Sequence, residues 1–269
     1  MGLFNLPPFI PDHRGNKLQS FKIRDYKDKP GNILMLCGPE EVAGQLQAIG
    51  GAACVAKELT DKGKEKWTHA LYFEDGVPQD IAALAGRLEQ WLSIPNSPSL
   101  NLCMSVDWFK QPDGNGELVV TDMGRRINYT KYAKYPNGSG SRQARGELYD
   151  AMTDFVNSHP VYATTRIVTS PPGSKGDGNS FGERLGREIA RRTGKTFVET
   201  TGPARAEQKE EVGRDVRDDF EFSTAVGERV LIVDDVFHTG VTLESTARAV
   251  RRAGATEVIA LTAARTLRK

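Results

Sequence analysis

An adjacent pair of acids near the end of the chain stands out chemically. The apolar residues 231–233 lead into Asp234 and Asp235, and a short Thr/Gly segment then precedes residues with helical periodicity. Two neighbouring carboxylates repel each other and are poorly tolerated beside a buried strand. In an open parallel sheet, ligands bind beyond the carboxyl ends of the strands. We therefore predict that a strand over residues 229–235 ends at the acids, and that the acids bind hydroxyl groups or a cation there.

The segment that follows the acids has the composition of an anion site. Gly240 allows close backbone approach, Thr239 and Thr242 supply hydroxyls, and the next helix would present its free amides and positive dipole end. A sugar phosphate satisfies both halves, because its diol suits the acids and its phosphate suits the loop. The alternative interpretation is a strand end with two solvated acids followed by an ordinary turn.

Residues 230–243 resemble the motif with which type I phosphoribosyltransferases bind phosphoribosyl pyrophosphate (PRPP). The resemblance implies that the two acids bind the ribose 2′- and 3′-hydroxyls, whereas the following loop binds the 5′-phosphate. It covers roughly residues 104–269. The residues implied in binding PRPP are Asp234, Asp235, Val236, Phe237, His238, Thr239, Gly240, Val241 and Thr242.

A second loop fits the same resemblance. It follows the predicted strand at residues 165–170, where the family has its pyrophosphate loop, and its backbone amides and one lysine suit a pyrophosphate. An ordinary Gly/Pro-rich loop is the alternative. The residues implied are Ser170, Pro172, Gly173, Ser174 and Lys175.

A charged segment between the second and third strands of this region resembles the ComF-type branch of the family. It corresponds to the mobile hood that covers the active site in the wider family, and a solvated charged loop is the alternative. The residues implied in the hood are Arg205, Gln208, Lys209, Arg214 and Arg217.

The resemblance implies transfer of a phosphoribosyl group from PRPP to an acceptor such as a nucleobase, with release of pyrophosphate. Mg²⁺ is the implied cofactor, held mainly through PRPP, and Asp234, Asp235, His238 and Lys175 are the implied catalytic residues. His238 stands at a variable position of the motif, which leaves the base that activates the acceptor unassigned. A non-catalytic regulator that binds PRPP or a nucleotide, or a ComF-like accessory protein, is the competing interpretation, and the acceptor stays open.

The pattern after residue 99 predicts a doubly wound α/β domain with a parallel sheet and a flexible hood loop. Apolar strands alternate there with amphipathic helices, as in sheets that are covered on both faces. One helix is predicted to begin at Ser180, which forms a capping-box pattern with Glu183. Residues 116–135 resemble a hairpin or two edge strands, and residues 136–141 a loop.

The first part of the chain, residues 1–98, is predicted to be a separate, smaller α/β domain of unknown role. Its first thirty or so residues are expected to be irregular, and residues 78–94 to form one amphipathic helix. The Pro/Ser-rich residues 95–99 are predicted to link it to the phosphoribosyltransferase domain at residues 99–269.

Composition narrows the class of protein. The 269 residues contain 36 basic and 35 acidic side chains, a balance that argues against a nucleic-acid partner. Cys37, Cys54 and Cys103 form no paired Cys motif for zinc, and we expect reduced thiols. No apolar run is long enough for a membrane span, and the start lacks a signal-peptide pattern. A cytoplasmic protein without a membrane partner is expected, and a homodimer is left open.

Overall fold

The computed structural model describes residues 16–27, 29–95, 97–203 and 219–267. The chain divides into two compact units, Met1–Pro95 and Asn96–Lys269. The division falls at the Pro/Ser-rich segment that was predicted as a linker. Independent folding of the two parts stays a prediction.

The first unit contains a four-stranded antiparallel sheet in the order β1-β2-β4-β3. Helices α1 and α3 pack against each other and bury apolar faces that include Leu46, Ile81 and Leu84. The elements are β1 (Ser20–Asp25), β2 (Asn32–Cys37), α1 (Glu40–Gly50), β3 (Cys54–Ala56), α2 (Asp61–Lys64), β4 (His69–Phe73), α3 (Gln79–Leu88) and β5 (Leu92–Ile94).

Two local predictions for this unit are wrong. The first thirty residues are not all irregular, because strand β1 pairs with β2 along its whole length. The predicted helix over residues 78–94 ends early, at Leu88, since the backbone N–H groups of Gln90 and Trp91 both turn back to the carbonyl oxygen of Arg87. Strand β5 follows, and its Ser93 forms a β-bridge with Asn16.

The second unit alternates strands and helices as predicted. Its first half comprises β6 (Leu102–Trp108), β7 (Lys110–Pro112), β8 (Leu118–Val120), α4 (Asp122–Lys131), α5 (Ser139–Ser158), α6 (Pro160–Ala163), β9 (Ile167–Thr169) and α7 (Phe181–Thr193). Its second half comprises β10 (Thr196–Phe197), β11 (Thr200–Thr201), β12 (Glu221–Phe222), β13 (Arg229–Phe237), α8 (Val241–Arg252) and β14 (Glu257–Arg265).

The main strands of this unit run parallel in the order β10-β9-β13-β14-β6. From β9 the chain passes through α7 outward to β10, whereas from β13 it passes through α8 to β14 on the other side. Right-handed crossovers in opposite directions place α7 and α8 on opposite faces of the sheet. The predicted α/β fold with a doubly wound parallel sheet is confirmed. The neighbours β9 and β13 form its switch point, where such folds bind ligands.

The central strands β13 and β14 are unbroken apolar runs in the sequence because both of their faces are buried. Residues 230–233 of β13 and residues 258–261 of β14 are almost fully buried, as expected for central strands that are covered on both faces. Helix α7 begins as predicted, since the side chain of Ser180 accepts from the N–H of Glu183 and the Glu183 carboxylate accepts from the N–H of Ser180. That capping box fixes the start of α7 beside the switch point.

The prediction of a hairpin or two edge strands over residues 116–135 is only partly right. Strand β8 does pair with β7 in a small antiparallel ribbon, but residues 122–131 form helix α4. Thr121 caps that helix by accepting from the N–H of Gly124, while Met123 and Ile127 fill its buried face. Helix α5 begins at Ser139, inside the segment predicted as a loop.

A chain that begins at Asn96 is expected to fold without the preceding residues. It retains all the paired strands described above for the second unit, as well as the contact of Ser97 with Glu244 and the buried Leu100. Thermal denaturation followed by circular dichroism should show one cooperative transition. Insoluble or molten protein would mean that the two parts of the chain share one core.

Candidate active site

The predicted end of the acid-bearing strand is wrong by two residues. Strand β13 continues through Asp234 and Asp235 to Phe237, because its ladder with β14 extends to the pairs Val236–Ala264 and Phe237–Arg265. Both acids therefore lie within the strand, near its end, and backbone pairing with β14 continues beyond them. A rigid strand positions a binding group more precisely than a loop does.

Strand register brings three neighbouring strand ends together. Phe237, Arg265 and Trp108 stand side by side on β13, β14 and β6. The next backbone steps are fixed too, since the N–H of Phe109 donates to the carbonyl of Arg265 (2.7 Å) and the N–H of Thr266 donates to the carbonyl of Phe237 (3.0 Å). His238, Thr266 and Phe109 therefore lie at one edge of the sheet, beside the acids.

A glycine turns the chain from β13 into α8. Gly240 has φ 80°, in the left-handed region, and a Cβ there would lie 2.8 Å from the ring of Phe237. The N-cap residue Gly240 has no side chain with which to cap α8, and the N–H of Val241 makes a long bond of 3.3 Å to Oγ1 of Thr239. The positive end of the helix dipole faces the space beyond β13, which is the arrangement that binds phosphate groups.

The acids, the loop, helices α4 and α8, and the residues that follow β6 and β14 line one cavity of about 300 Å³. Of the nine residues implied in binding PRPP, all except Val241 border it. The lining residues are Phe109, Ile127, Lys131, Tyr132, Asp234, Asp235, Val236, Phe237, His238, Thr239, Gly240, Thr242, Leu243 and Thr266. An acid pair and a helix N-terminus thus open on the same space, which has room for a sugar ring.

The Asp234 carboxylate is closely confined. Its Oδ1 accepts from the N–H of Asp235 at 2.8 Å, and a Cβ on Gly182 of α7 would approach the same oxygen to 2.8 Å. Removal from water raises the pKa of Asp234 well above its ordinary value, and the charge of Asp235 adds to the rise, whereas the N–H of Asp235 and the charge of Lys131 oppose it. A carboxyl group whose pKa is shifted in this way is typical of functional sites.

Lys131, the last residue of α4, pairs with the second acid. Its Nζ donates to Oδ2 of Asp235 at 2.5 Å, and only 11% of the Asp235 side chain is exposed. Burial alone would lower the pKa of Lys131, but the charge and hydrogen bond of Asp235 outweigh that effect and raise it. The lysine is therefore charged, and the acid pair does not carry two uncompensated negative charges.

His238 lies at the mouth of the cavity with an exposed ring. Its Nδ1 is 2.9 Å from Oγ1 of Thr266, so the two side chains share a hydrogen bond across the ends of β13 and β14. Because the hydroxyl can donate or accept, the other ring nitrogen can be either a donor or an acceptor toward a ligand. This contact gives the ring a fixed place, which the sequence left open.

Residues 187–269 match the phosphoribosyl transferase domain family. The matched residues all belong to the second unit. The matched range contains the acid pair, the Gly240 turn and α8, which form most of the cavity wall. The resemblance to type I phosphoribosyltransferases is thereby confirmed, while the closer resemblance to the ComF-type branch stays a prediction.

Several solved phosphoribosyltransferases are similar to the chain at low identity. Adenine phosphoribosyltransferase from Leishmania tarentolae is 13% identical with a TM-score of 0.40, and the match covers 65% of this chain and 94% of that one. Adenine phosphoribosyltransferase from Thermoanaerobacter pseudethanolicus is 18% identical with a TM-score of 0.35, covering 48% and 83%. Orotate phosphoribosyltransferase from Aeropyrum pernix is 18% identical with a TM-score of 0.33, covering 58% and 72%. No curated protein matches the sequence.

The predicted pyrophosphate loop does not line the cavity. It folds against the start of α7, where a Cβ on Gly173 would lie 2.5 Å from the Cβ of Ser180. Ser170 and Pro172 are buried, whereas Ser174 and Lys175 form an exposed turn. Since Gly182 of the same helix touches Asp234, α7 is the element that links this loop to the acid pair.

The predicted hood residues Arg205, Gln208, Lys209, Arg214 and Arg217 lie outside the described residues. The segments on either side are described, and they pair as the antiparallel strands β11 and β12. Phe220 is fully buried, and its carbonyl accepts from the guanidinium of Arg252 on α8. The charged segment between the second and third predicted strands is therefore followed by a short strand, β12, before β13 begins.

Sequence reasoning missed nearly half of the cavity wall. The residues it did not assign to the site are Phe109, Ile127, Lys131, Tyr132, Leu243 and Thr266. A signal for Thr266 and Phe109 would have required the order of β13, β14 and β6, because only that order brings the ends of these strands beside the acids. Lys131 and Tyr132 gave no signal of a place in the site, because residues 116–135 were predicted to be a hairpin or two edge strands.

Residues 16–27, 29–95, 97–203 and 219–267 contain no group of three His, Cys, Asp or Glu side chains that could hold a metal ion. Within these same ranges, no helix has the length and apolar character needed to cross a membrane. Cys37, Cys54 and Cys103 are free thiols.

Proposed function

We propose that this protein is a phosphoribosyltransferase that binds PRPP with Mg²⁺ and transfers its phosphoribosyl group to a small acceptor such as a nucleobase, releasing pyrophosphate. One observation carries the proposal. The same cavity is lined by the acid pair at the end of β13 and by the Gly240 turn at the N-terminus of α8. Few ligands other than a sugar phosphate need hydroxyl acceptors and a phosphate cradle so close together.

Each half of the cavity has a defined task in this proposal. The carboxylates of Asp234 and Asp235 accept hydrogen bonds from the ribose 2′- and 3′-hydroxyls. The backbone from His238 to Thr242 and the hydroxyls of Thr239 and Thr242 receive the 5′-phosphate, which the helix dipole also favours. The sugar is then held at both ends, with C1 facing the part of the cavity lined by aromatic side chains.

Mg²⁺ is proposed to arrive with the substrate. The described residues offer no three-ligand cluster, and Lys131 occupies one oxygen of Asp235. This donor set does not form a metal cage of its own but suits an ion bound through phosphate and hydroxyl oxygens, as is usual for Mg²⁺ with phosphorylated substrates. When bound, the ion neutralises charge that develops on the leaving pyrophosphate.

In the reaction, the bond from C1 to the pyrophosphate oxygen breaks, and a bond from C1 to an acceptor nitrogen forms. Positive charge develops on the ribose, and the carboxylate charge of the acid pair stabilises it. Lys175 and the amides of its loop are proposed to approach the pyrophosphate when the loop closes, and the hood residues to exclude water. The proton of the acceptor nitrogen passes to a base, and His238 is the candidate that the variant described below tests.

The proposal is tested by PRPP-dependent release of pyrophosphate, measured with a panel of purine and pyrimidine bases. Release that depends on one base, with formation of the matching nucleotide, supports the enzyme. PRPP binding without release of pyrophosphate for any base would favour the competing function, a regulator that senses PRPP. Absence of PRPP binding would contradict both.

His238→Ala is expected to slow turnover while leaving PRPP affinity nearly unchanged. In the proposal the loop contributes its backbone to the phosphate, whereas the ring, which lines the cavity, assists the acceptor. Loss of a side chain that assists proton transfer typically lowers the rate by about 10²–10⁴-fold. The pH–rate profile of the variant checks this. Thr266→Val is the comparison, because it keeps the ring and removes the hydroxyl that bonds to the ring and to the carbonyl oxygen of Phe237. Turnover within a few-fold of wild type at every pH would leave the ring no catalytic part.

A further inference from the structure

Lys131 belongs to no part of the PRPP motif, yet it makes the closest contact to the acid pair. It lies 104 residues before Asp235 in the sequence and donates to Oδ2 of that residue at 2.5 Å. About a third of its side chain is exposed. Its Nζ also lies 5.6 Å from the ring centroid of Tyr132 and 5.9 Å from that of Phe181. The ammonium thus sits among two aromatic rings and a carboxylate in the cavity wall.

The helix that carries Lys131 is firmly anchored. Gly124 packs so closely that a Cβ would lie 2.2 Å from the carbonyl oxygen of Phe109, which itself is bonded to β14 through its N–H. Helix α4 also packs against α5, β6 and β14. The anchored helix therefore holds its C-terminal residue, Lys131, in one position. A lysine in a flexible surface ion pair, by contrast, contributes little to stability.

The electrostatic surroundings give this contact a task. The pKa of Lys131 is affected by the neighbouring groups Asp235, Tyr132 and Asp234. The pKa of Asp234 is affected by the charges of Asp235 and Lys131. Without a cation the two adjacent carboxylates would repel, and one of them would take up a proton. A protonated carboxyl group accepts a hydrogen bond from a hydroxyl group more weakly than a carboxylate does. It also has no negative charge with which to stabilise a positively charged sugar.

We propose that Lys131 is a positioning residue that fixes the Asp235 carboxylate and keeps the acid pair ready to accept both hydroxyls of a vicinal diol. The identity of that diol as the ribose of PRPP rests on the proposed function, but the coupling of Lys131 to the acids does not. Lys131 acts through Asp234 and Asp235 and does not touch the reacting bond.

The first test follows Asp234 in the free protein. Carbon-13 NMR of labelled aspartate carboxyl groups, assigned with Asp234→Asn, gives its titration midpoint. Lys131 holds the pKa of Asp234 down, so Lys131→Met should move that midpoint to higher pH, whereas Lys131→Arg, which keeps the cation, should leave it near the wild-type position. Lys134→Met is the matched control, because Lys134 lies over Tyr135 and does not line the cavity. An unchanged midpoint in a folded Lys131→Met variant would overturn the proposal.

The second test measures PRPP affinity of the same variants by calorimetry across pH. Lys131→Met should bind PRPP about 10- to 100-fold more weakly at neutral pH, the usual effect of losing a charged hydrogen bond. Its affinity should recover as pH rises, because the carboxylate form returns, and Lys131→Arg should restore binding at all pH values. A loss that is equal at every pH and not rescued by arginine would indicate a merely structural lysine. Wild-type protein that binds no PRPP would sink the proposed function, while the NMR titration would still decide the role of Lys131.

Discussion

The double variant Asp234→Asn/Asp235→Asn is expected to lose PRPP affinity by about 10²-fold or more, since a hydrogen bond to a charged group contributes roughly 1.5–3 kcal/mol and two are weakened. The amides keep the size of the acids and can still contact hydroxyls, so the loss reports the charge and the acceptor strength of the carboxylates. Calorimetric titration with PRPP in the presence of Mg²⁺ measures it.

The control for this variant is Asp154→Asn, which removes one charge from an exposed position on α5, outside the cavity wall. It should bind PRPP as the wild type does. Near-ultraviolet circular dichroism must show that the double variant keeps its tertiary packing. Wild-type affinity in a folded double variant would refute the assignment of the acid pair to the ribose.

The second prediction is a loss of PRPP affinity caused by one added methyl group, in Gly182→Ala, which lies against the acid pair and does not contact the ligand. In Gly182→Ala, the new Cβ would lie 2.8 Å from Oδ1 of Asp234. The helix backbone is fixed by the Ser180–Glu183 capping box, so the carboxylate must rotate away and lose its bond from the N–H of Asp235. We expect PRPP affinity to fall about tenfold, as for one charged hydrogen bond. The free energy of unfolding should change little, because the higher helix propensity of alanine, about 1 kcal/mol relative to glycine, offsets the crowding at the new Cβ.

Gly146→Ala provides the matched control for this prediction. Gly146 is also helical, in α5, but a Cβ there meets nothing within 4 Å. That variant should be neutral or slightly more stable and should bind PRPP normally. Gly182→Ala should also cost little further affinity when Asp234 is already asparagine, because the contacts are coupled. Undiminished affinity in Gly182→Ala would show that the position of the Asp234 carboxylate does not matter for binding.

Features with a local cause could be predicted from the sequence. The apolar runs of β13 and β14 predicted central parallel strands, and the Ser180–Glu183 pattern predicted the start of α7. The left-handed turn at Gly240 and the amphipathic α8 likewise follow from neighbouring residues. These features build the acid pair and the phosphate cradle, which is why half of the cavity could be described without a structure.

The other half depends on distant contacts. Helix α4 has few apolar residues, and its buried face of Met123, Gly124 and Ile127 is completed by α5 and the sheet, so its own periodicity was too weak to reveal it. Thr266 and Phe109 join the site only because β14 and β6 lie beside β13 in that order. Strand order and the reach of a lysine across 104 residues are set by tertiary packing, which single-sequence patterns do not encode.

The exact end of β13 has the same kind of cause. Adjacent acids favour the end of a strand, yet backbone pairing with β14 carries the strand two residues further. Sheet bonding from a neighbour therefore overrides the local preference of Asp234 and Asp235. The result benefits the proposed function, because regular sheet geometry fixes both carboxylates relative to the N-terminus of α8.

Binding of PRPP in the cavity between the acid pair and α8 can be measured by isothermal titration calorimetry of the wild-type protein with PRPP and Mg²⁺, followed by ribose 5-phosphate and by pyrophosphate alone. We expect one PRPP site per chain, and weaker binding of ribose 5-phosphate that competes for the same site. Folded protein that binds neither PRPP nor ribose 5-phosphate at millimolar concentration would contradict the proposed function.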